Sequence, residues 1–212
     1  MQKDENVTRN RWNDIYTSFD TNLEIDENMP RIADLFQGSN IKTILDLGCG
    51  AGRHTAYLTQ KGFDVYGIDI AGEGVKLAHQ LLIEKGFPPN LCIGSIRNLP
   101  FRDNSFDSII SVRVIHHGRI EAIQKTVQEM ERVLTSHGFI FVTVRKKVAK
   151  KERRPFLEIA PQTYVPVDGS EKDIVHYLFT KEILKKEFRN FKIHDIWLDT
   201  KKYYCLLGQK KY

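Results

Sequence analysis

Cysteine and long apolar runs are both scarce in this sequence, and each absence narrows the class of protein. Three cysteines occur among 212 residues, Cys49, Cys92 and Cys205, so they cannot all pair, and their spacing fits no metal-binding motif. No apolar stretch approaches the ~20 residues that a membrane-spanning helix requires. Residues 1–30 mix acidic and basic side chains, unlike a secretory signal. We therefore expect a cytoplasmic protein with no membrane segment and no bound metal.

An excess of one charge is also missing outside one short segment. The net charge is +5, but the stretch Arg145–Arg154 holds seven basic residues and one acid, contributes +6, and leaves −1 for the rest. Positive charge confined to one short segment indicates a solvated loop, and not a positive potential over the whole protein surface that would attract anionic partners. A patch that contacts an anionic substrate or RNA phosphates is the alternative, so nucleic acid is the less favoured partner.

Strand and helix patterns alternate along most of the chain, which predicts a single α/β domain over residues 1–212. The predicted strands cover 43–47, 64–68, 91–94, 106–112 and 139–144, with helices at 53–61, 74–85 and 120–134. Such an alternation implies right-handed crossovers, so we expect a doubly wound, mostly parallel, seven-stranded Rossmann-like sheet. A helix at 180–188 and two further strands at 191–198 and 202–209 predict a C-terminal antiparallel hairpin.

Two segments outside this alternation are expected to border a binding site. Residues 1–38 are expected to form an N-terminal helical lid, in which Trp12 and Tyr16 lie one helical turn apart on the same face. Residues 146–176 show no clear period and contain three prolines, which predicts an inserted loop that caps the substrate. The run 176–179 follows the insertion and is expected either to face the acceptor or to join the core.

The run Ile44–Gly52 is the most informative part of the sequence. An apolar strand passes into a turn with glycines at 48, 50 and 52. Because glycine has no Cβ, such a turn lets the backbone approach a ligand closely, and the helix that follows favours polar or anionic ligand atoms. A dinucleotide fingerprint requires a sixth-position glycine, where this chain has Arg53. The spacing argues against a dehydrogenase and favours a smaller, nucleoside-like ligand whose ribose hydroxyls Asp69 is placed to bind.

Five motifs resemble, in order and spacing, those of the class I S-adenosylmethionine-dependent methyltransferases, in particular the small-molecule branch similar to methyltransferase type 11. They are Ile44–Gly52, Tyr66–Ile70, Gly94–Phe101, Phe106–Ser111 continuing to His117, and Leu134–Phe141. The resemblance covers about residues 10–209. It implies S-adenosylmethionine as cofactor and methyl transfer as the activity.

The resemblance also implies which residues bind the cofactor. Asp69 would accept from both ribose hydroxyls, and Asp46 would bind the ammonium group directly or through water. Ser95 stands where the family commonly has aspartate, and would accept from the adenine amino group as a neutral partner, while Ile96 packs on the ring. The other implied cofactor contacts are Tyr16, Gly48, Cys49, Gly50, Arg53, Ile70 and Val112.

A pair of histidines is the candidate for the chemistry on the acceptor. His116 and His117 follow the fourth predicted strand, at the edge where open α/β sheets bind ligands. Because histidine titrates near neutral pH, His117 is the candidate general base, with a lesser case for His116. The leading hypothesis is methyl transfer to an oxygen or nitrogen of a small molecule. A tRNA-modifying methyltransferase and a non-catalytic S-adenosylmethionine-binding protein are the alternatives.

Overall fold

The fold is an α/β structure, seen in a computed structural model that describes residues 2–18, 24–147 and 155–212. Its strands are β1 Thr43–Leu47, β2 Asp64–Asp69, β3 Leu91–Ile93, β4 Phe106–Val112, β5 Leu134–Arg145, β6 Phe156–Ala160, β7 Thr163–Pro166, β8 His176–Tyr177, β9 Phe191–Leu198 and β10 Tyr203–Lys210. Its helices are α1 Gln2–Ser18, α2 Met29–Gly38, α3 Arg53–Gln60, α4 Gly72–Glu84, α5 Ile120–Val133 and α6 Lys181–Glu187.

One seven-stranded sheet in the order β3-β2-β1-β4-β5-β10-β9 forms the centre of the molecule. Strands β1 to β5 pair in parallel, whereas β10 runs antiparallel to both of its neighbours. The mostly parallel sheet and the C-terminal hairpin predicted from the sequence are therefore confirmed. The chain leaves β1 toward β2 on one side and returns to β4 on the other, which opens a crevice at the carboxyl ends of these strands.

Helices cover both faces of this sheet and create two apolar cores. Leu45 and Ile109 face one side, where they pack with Met130 of α5. Ile44 faces the other side and packs with Phe36 of α2. Neighbouring residues of β1 thus belong to different cores, because successive side chains of a strand point to opposite faces. Because both faces of these strands are buried, their sequences are nearly continuous apolar runs.

The ends of two C-terminal elements follow from local backbone chemistry. Thr180 caps α6 as its sequence position predicts, since its side chain accepts a hydrogen bond from the Ile183 amide at 3.3 Å. Strand β10 begins at Tyr203, one residue later than predicted, because Lys202 adopts a left-handed φ of 64° in the turn. Strand β5 begins earlier than predicted, at Leu134, with an irregularity around His137 (φ 61°) that precedes its regular pairing.

The insertion differs from the loop that its sequence predicts. Strands β6, β7 and β8 form a separate antiparallel sheet of three short strands. They are two to five residues long, and prolines at 155, 161 and 166 interrupt the alternation that would have revealed them. Residues 148–154, most of the basic stretch, lie outside the described residues. Among the helices described, none combines the length and the apolar composition that crossing a bilayer requires.

Candidate active site

A cavity of about 440 Å³ lies at the carboxyl ends of β1, β2 and β4, where the strand order reverses. Its floor is the glycine turn after β1, and its sides are the loops after β3 and β4. Helix α1 and residues 170–175 of the insertion cover it. The cavity therefore joins the predicted nucleoside end and the predicted acceptor end in one enclosed space.

The glycine turn needs glycine for both conformation and space. Gly48 and Gly50 have φ values of 81° and 51°, in the left-handed region where a side chain is strained. A Cβ on Gly50 would collide with the Tyr16 hydroxyl, and one on Gly48 would collide with Val114. Tyr16 of α1 thus lies directly over the turn. Its ring also lies 2.8 Å from where a Cβ of Gly74 would be, so α1 is seated between the turn and α4.

Asp69 lies at the end of β2, in the cavity wall and almost wholly buried. Its Oδ2 accepts from the Gly50 amide at 2.9 Å, and its Oδ1 accepts from the Ala71 amide at 2.8 Å. Burial raises the pKa of Asp69, although these backbone bonds oppose the rise. Each carboxylate oxygen can accept more than one hydrogen bond, so Asp69 can hold the turn and still accept from a ligand hydroxyl.

Asp46 is the one predicted cofactor residue that the structure does not bring to the cavity wall. It is buried below the turn, where its Oδ2 accepts from the Thr55 hydroxyl at 2.7 Å. Burial raises its pKa to about 6, and the Thr55 bond and the charge of Arg53 act against that rise. In this arrangement Asp46 joins β1 to Thr55 of α3, and its bond to a cofactor ammonium group stays a prediction.

Ser95 lines the cavity, and its predicted bond to the adenine amino group stays a prediction. Its hydroxyl donates to a carboxylate oxygen of Glu5, on α1, in a short contact. Arg97 forms an ion pair with the other oxygen of Glu5 at 2.6 Å. Burial opposes ionisation of Glu5, but the bonds from Ser95 and Arg97 lower its pKa overall. Glu5 was missed because nothing in the local sequence links residue 5 to residue 95.

The end of the cavity that is predicted to hold the acceptor is lined by aromatic and imidazole rings. Trp12 of α1 stacks edge-on against His117, with ring centroids 5.2 Å apart. His116 and His117 are adjacent to His176 of β8, at centroid distances of 5.9 and 4.8 Å. Burial, with a contribution from His176, lowers the pKa of His117 to about 3, so its imidazole is neutral at neutral pH. The remainder of the 176–179 run, from Tyr177 onward, is buried in the core.

Arg113 and Glu171 also line this cavity, and neither was identified from the sequence. Arg113 has a left-handed φ of 62°, and its Nη2 lies 3.2 Å from Asp26 and 3.7 Å from Asp199. Glu171, in the insertion, lies 3.0 Å from a ring nitrogen of His176. Arg113 meets Asp26 and Asp199 only through the fold, and Glu171 meets Arg145 in the same way, so a single sequence does not reveal either residue.

Most of the predicted site residues do meet in the cavity. One of them, Cys49, is a packing group and not a nucleophile, because burial raises the pKa of its thiol well above the ordinary value. The predicted residues that line the cavity are Tyr16, Gly48, Cys49, Gly50, Arg53, Asp69, Ile70, Ser95, Ile96, Val112 and His117.

Comparison with known proteins agrees with this geometry. Residues 45–142 match the family described as a methyltransferase domain. The Mus musculus protein named "Probable tRNA methyltransferase 9B" is 33% identical over 126 residues, which are 58% of this chain and 26% of that protein. Norajmaline N-methyltransferase from Rauvolfia serpentina is 32% identical over 95 residues, 43% of this chain and 32% of that protein. The chain thus spans about a quarter to a third of these relatives.

A solved structure extends the similarity to nearly the whole chain. It is that of 1,6-didemethyltoxoflavin-N1-methyltransferase from Burkholderia thailandensis, with bound 1,6-didemethyltoxoflavin and S-adenosylhomocysteine. The TM-score is 0.73 at 17% identity, and the alignment covers 98% of this chain and 88% of that chain. At this level of identity the similarity establishes a shared fold.

Proposed function

We propose that the chain is a class I S-adenosylmethionine-dependent methyltransferase, on the match of residues 45–142 to a methyltransferase domain, and that it methylates an oxygen or nitrogen of a small molecule. One observation carries the proposal. Asp69 and His117 line the same enclosed cavity, one at the end of β2 and the other after β4. A ligand that reaches from one to the other connects a ribose site to an acceptor site.

The residues around Asp69 fit the methyl donor of this family, S-adenosylmethionine. The Asp69 carboxylate is suited to a ribose diol, and the backbone of Gly48 and Gly50 leaves room for the amino-acid portion. Ile70 and Ile96 line the cavity and are the apolar side chains that we assign to the adenine ring. When bound, S-adenosylmethionine supplies a methyl group activated by a sulfonium charge.

At the acceptor end, the protein contributes position, water exclusion and a neutral imidazole. Trp12 and residues of the insertion enclose the acceptor, so that the reacting atoms are held together without solvent. An acceptor that must lose a proton needs a base, and neutral His117 has one ring nitrogen with a free lone pair. Its pKa of about 3 makes the imidazole a weak base, so its contribution depends on its position beside the acceptor. His117 is the residue of this chain that we assign to that proton.

Transfer of label from methyl-labelled S-adenosylmethionine tests the proposal. The protein is incubated with a fractionated small-molecule extract and, separately, with total tRNA. We expect label in small-molecule fractions and none in tRNA. Label in tRNA alone contradicts the small-molecule proposal, and cofactor binding without any transfer supports the non-catalytic alternative.

A tRNA-modifying activity is the second candidate, because one relative is named as a tRNA methyltransferase and the chain carries the basic stretch Arg145–Arg154. The small-molecule reading has its own support, since the Burkholderia structure holds 1,6-didemethyltoxoflavin. Binding to tRNA measured between roughly 50 and 200 mM salt separates the two candidates. Phosphate contacts predict a steep loss of affinity across this range, whereas absent or salt-insensitive binding counts against tRNA.

A further inference from the structure

A cluster of three histidines and one glutamate lies beside Trp12, and all of its members except His176 line the cavity. We call it the histidine cluster: His116, His117, His176 and Glu171. One ring nitrogen of each histidine lies within 4.8 Å of those of the other two. The two segments that carry them are fixed by backbone contacts, since the Tyr177 amide donates to the His116 carbonyl at 2.8 Å. The side chains are therefore held together before any ligand arrives.

Two ring nitrogens in the histidine cluster are buried without a hydrogen-bond partner among the described residues. They are Nδ1 of His116 and Nε2 of His117. His116 is 1% exposed and the side chain of His117 is 8% exposed. Buried polar atoms almost always have a partner, so two orphaned nitrogens in one cluster need an explanation. A ligand that accepts their lone pairs provides one.

The contacts of His176 also require a positive centre within the histidine cluster. Its Nδ1 lies 2.9 Å from the carbonyl oxygen of Ile174, which can only accept, so Nδ1 carries a proton. In a neutral ring, Nε2 then presents a lone pair. Yet Nε2 lies 3.0 Å from Oε2 of Glu171, which is also an acceptor. Two acceptors at this distance need a cation between them, either a proton or a metal ion.

We propose that the histidine cluster binds a divalent transition metal of the zinc class. Two ligand atoms at about 2.1 Å from one ion are separated by about 3.0 Å at right angles and by about 3.4 Å in a tetrahedron. The 3.0 Å between His176 Nε2 and Glu171 falls in that range. His117 Nε2 lies 4.0 Å from the other oxygen of Glu171 and joins the set after a small ring movement.

The surroundings of His176 match those of a metal ligand. A metal-bound histidine usually donates its other N–H to a carbonyl or carboxylate, and Nδ1 of His176 does so to Ile174. Imidazole nitrogens with one carboxylate suit Zn²⁺, Co²⁺ or Ni²⁺ better than Mg²⁺ or Ca²⁺. The absence of a metal was predicted from the spacing of the cysteines alone. A site made by two segments some sixty residues apart has no local signature.

Neighbouring charges set how tightly the ion is held and what it does. Arg145 lies 3.6 Å from Glu171 and shares its negative charge, so we expect exchangeable binding and not a permanent structural ion. His117 and Glu171 line the cavity, so an acceptor can reach the ion. With the ion bound, Nε2 of His117 is a ligand and no longer accepts the acceptor's proton, and the ion would instead lower the pKa of an acceptor hydroxyl. That role rests on the proposed function, whereas the site itself does not.

Titration of chelator-treated protein with Co²⁺ tests the site, because Co²⁺ in a nitrogen and oxygen site absorbs visible light. We expect bands that saturate at one Co²⁺ per chain. His176→Gln and Glu171→Gln should lose them, while His79→Ala, which changes an exposed histidine of α4, should keep them. No bands in the wild-type protein, or equal bands in all variants, would overturn the proposal and leave a proton between His176 and Glu171.

Two controls show whether a loss of Co²⁺ binding has another cause. Near-ultraviolet circular dichroism without metal shows whether each variant folds, and the partly exposed Glu171 carries the test if the buried His176 variant does not. Calorimetry with S-adenosylhomocysteine on the same samples separates the two proposals. Cofactor binding without Co²⁺ binding refutes the metal site alone. Co²⁺ binding without cofactor binding refutes the proposed function alone.

Discussion

Replacing Asp69 by alanine should weaken S-adenosylmethionine binding by about 1.5 to 3 kcal/mol, the range expected for lost hydrogen bonds to a charged group. This corresponds to an increase in Kd of roughly 10- to 150-fold. The structure supports the upper part of that range. Asp69 also accepts from the amides of Gly50 and Ala71 at 2.9 and 2.8 Å, so its loss releases the turn that faces the cofactor.

Calorimetry with a matched ligand separates the two effects. S-adenosylhomocysteine and its 2′-deoxyribose analogue are titrated into wild-type protein and Asp69→Ala. If Asp69 binds the ribose, removing the hydroxyl should cost affinity in the wild-type protein and much less in the variant. Losses that simply add would show that Asp69 acts only on the turn, and unchanged affinity in Asp69→Ala would remove it from the site.

Three other changes address separate parts of the account. His117→Ala should lower turnover with little change in cofactor affinity by calorimetry, and undiminished turnover would make His117 structural. Glu5→Gln should lose the ion pair with Arg97 and weaken cofactor binding by about 1 kcal/mol, as for a modest ion pair; faster proteolysis within α1 should accompany it, and unchanged cleavage and affinity would refute the contact. The pKa of Asp46 is about 6 in the folded protein and about 3.9 in the unfolded chain. At a pH between these two pKa values, the folded state keeps a proton on Asp46 that the unfolded state has lost. Its contribution to stability therefore falls by about 2 to 3 kcal/mol as the pH rises from 4 to 6. Asp46→Asn should lack this fall in urea unfolding, and identical pH profiles would contradict it.

The central sheet and the grouping of the glycine turn with Asp69 could be predicted from the sequence because their signals are local. The strand, glycine turn and helix around Ile44–Gly52 are contiguous, and Asp69 ends the next strand. Periodicity fixes which residues face the core, and glycine spacing fixes where the backbone is left open. The structure places Gly48, Gly50 and Asp69 together in the cavity wall.

The N-terminal helix and the insertion were expected to cover the site, but their contacts could not be predicted, because these contacts join distant segments. Glu5 meets Ser95 across the cavity, and His176 meets His117 through a bridge between the insertion and the loop after β4. Neither pair leaves a periodic trace in a single sequence. The strands of the insertion were missed for a different reason, since two to five residues between prolines are too few to show alternation.

Binding of S-adenosylhomocysteine to the purified wild-type protein, measured by calorimetry and by a crystal structure of the complex, is the most direct test. The account predicts one molecule per chain, with its ribose on Asp69 and its sulfur directed toward Trp12 and His117. No heat of binding, or a ligand seated anywhere other than the cavity above the glycine turn, would contradict it.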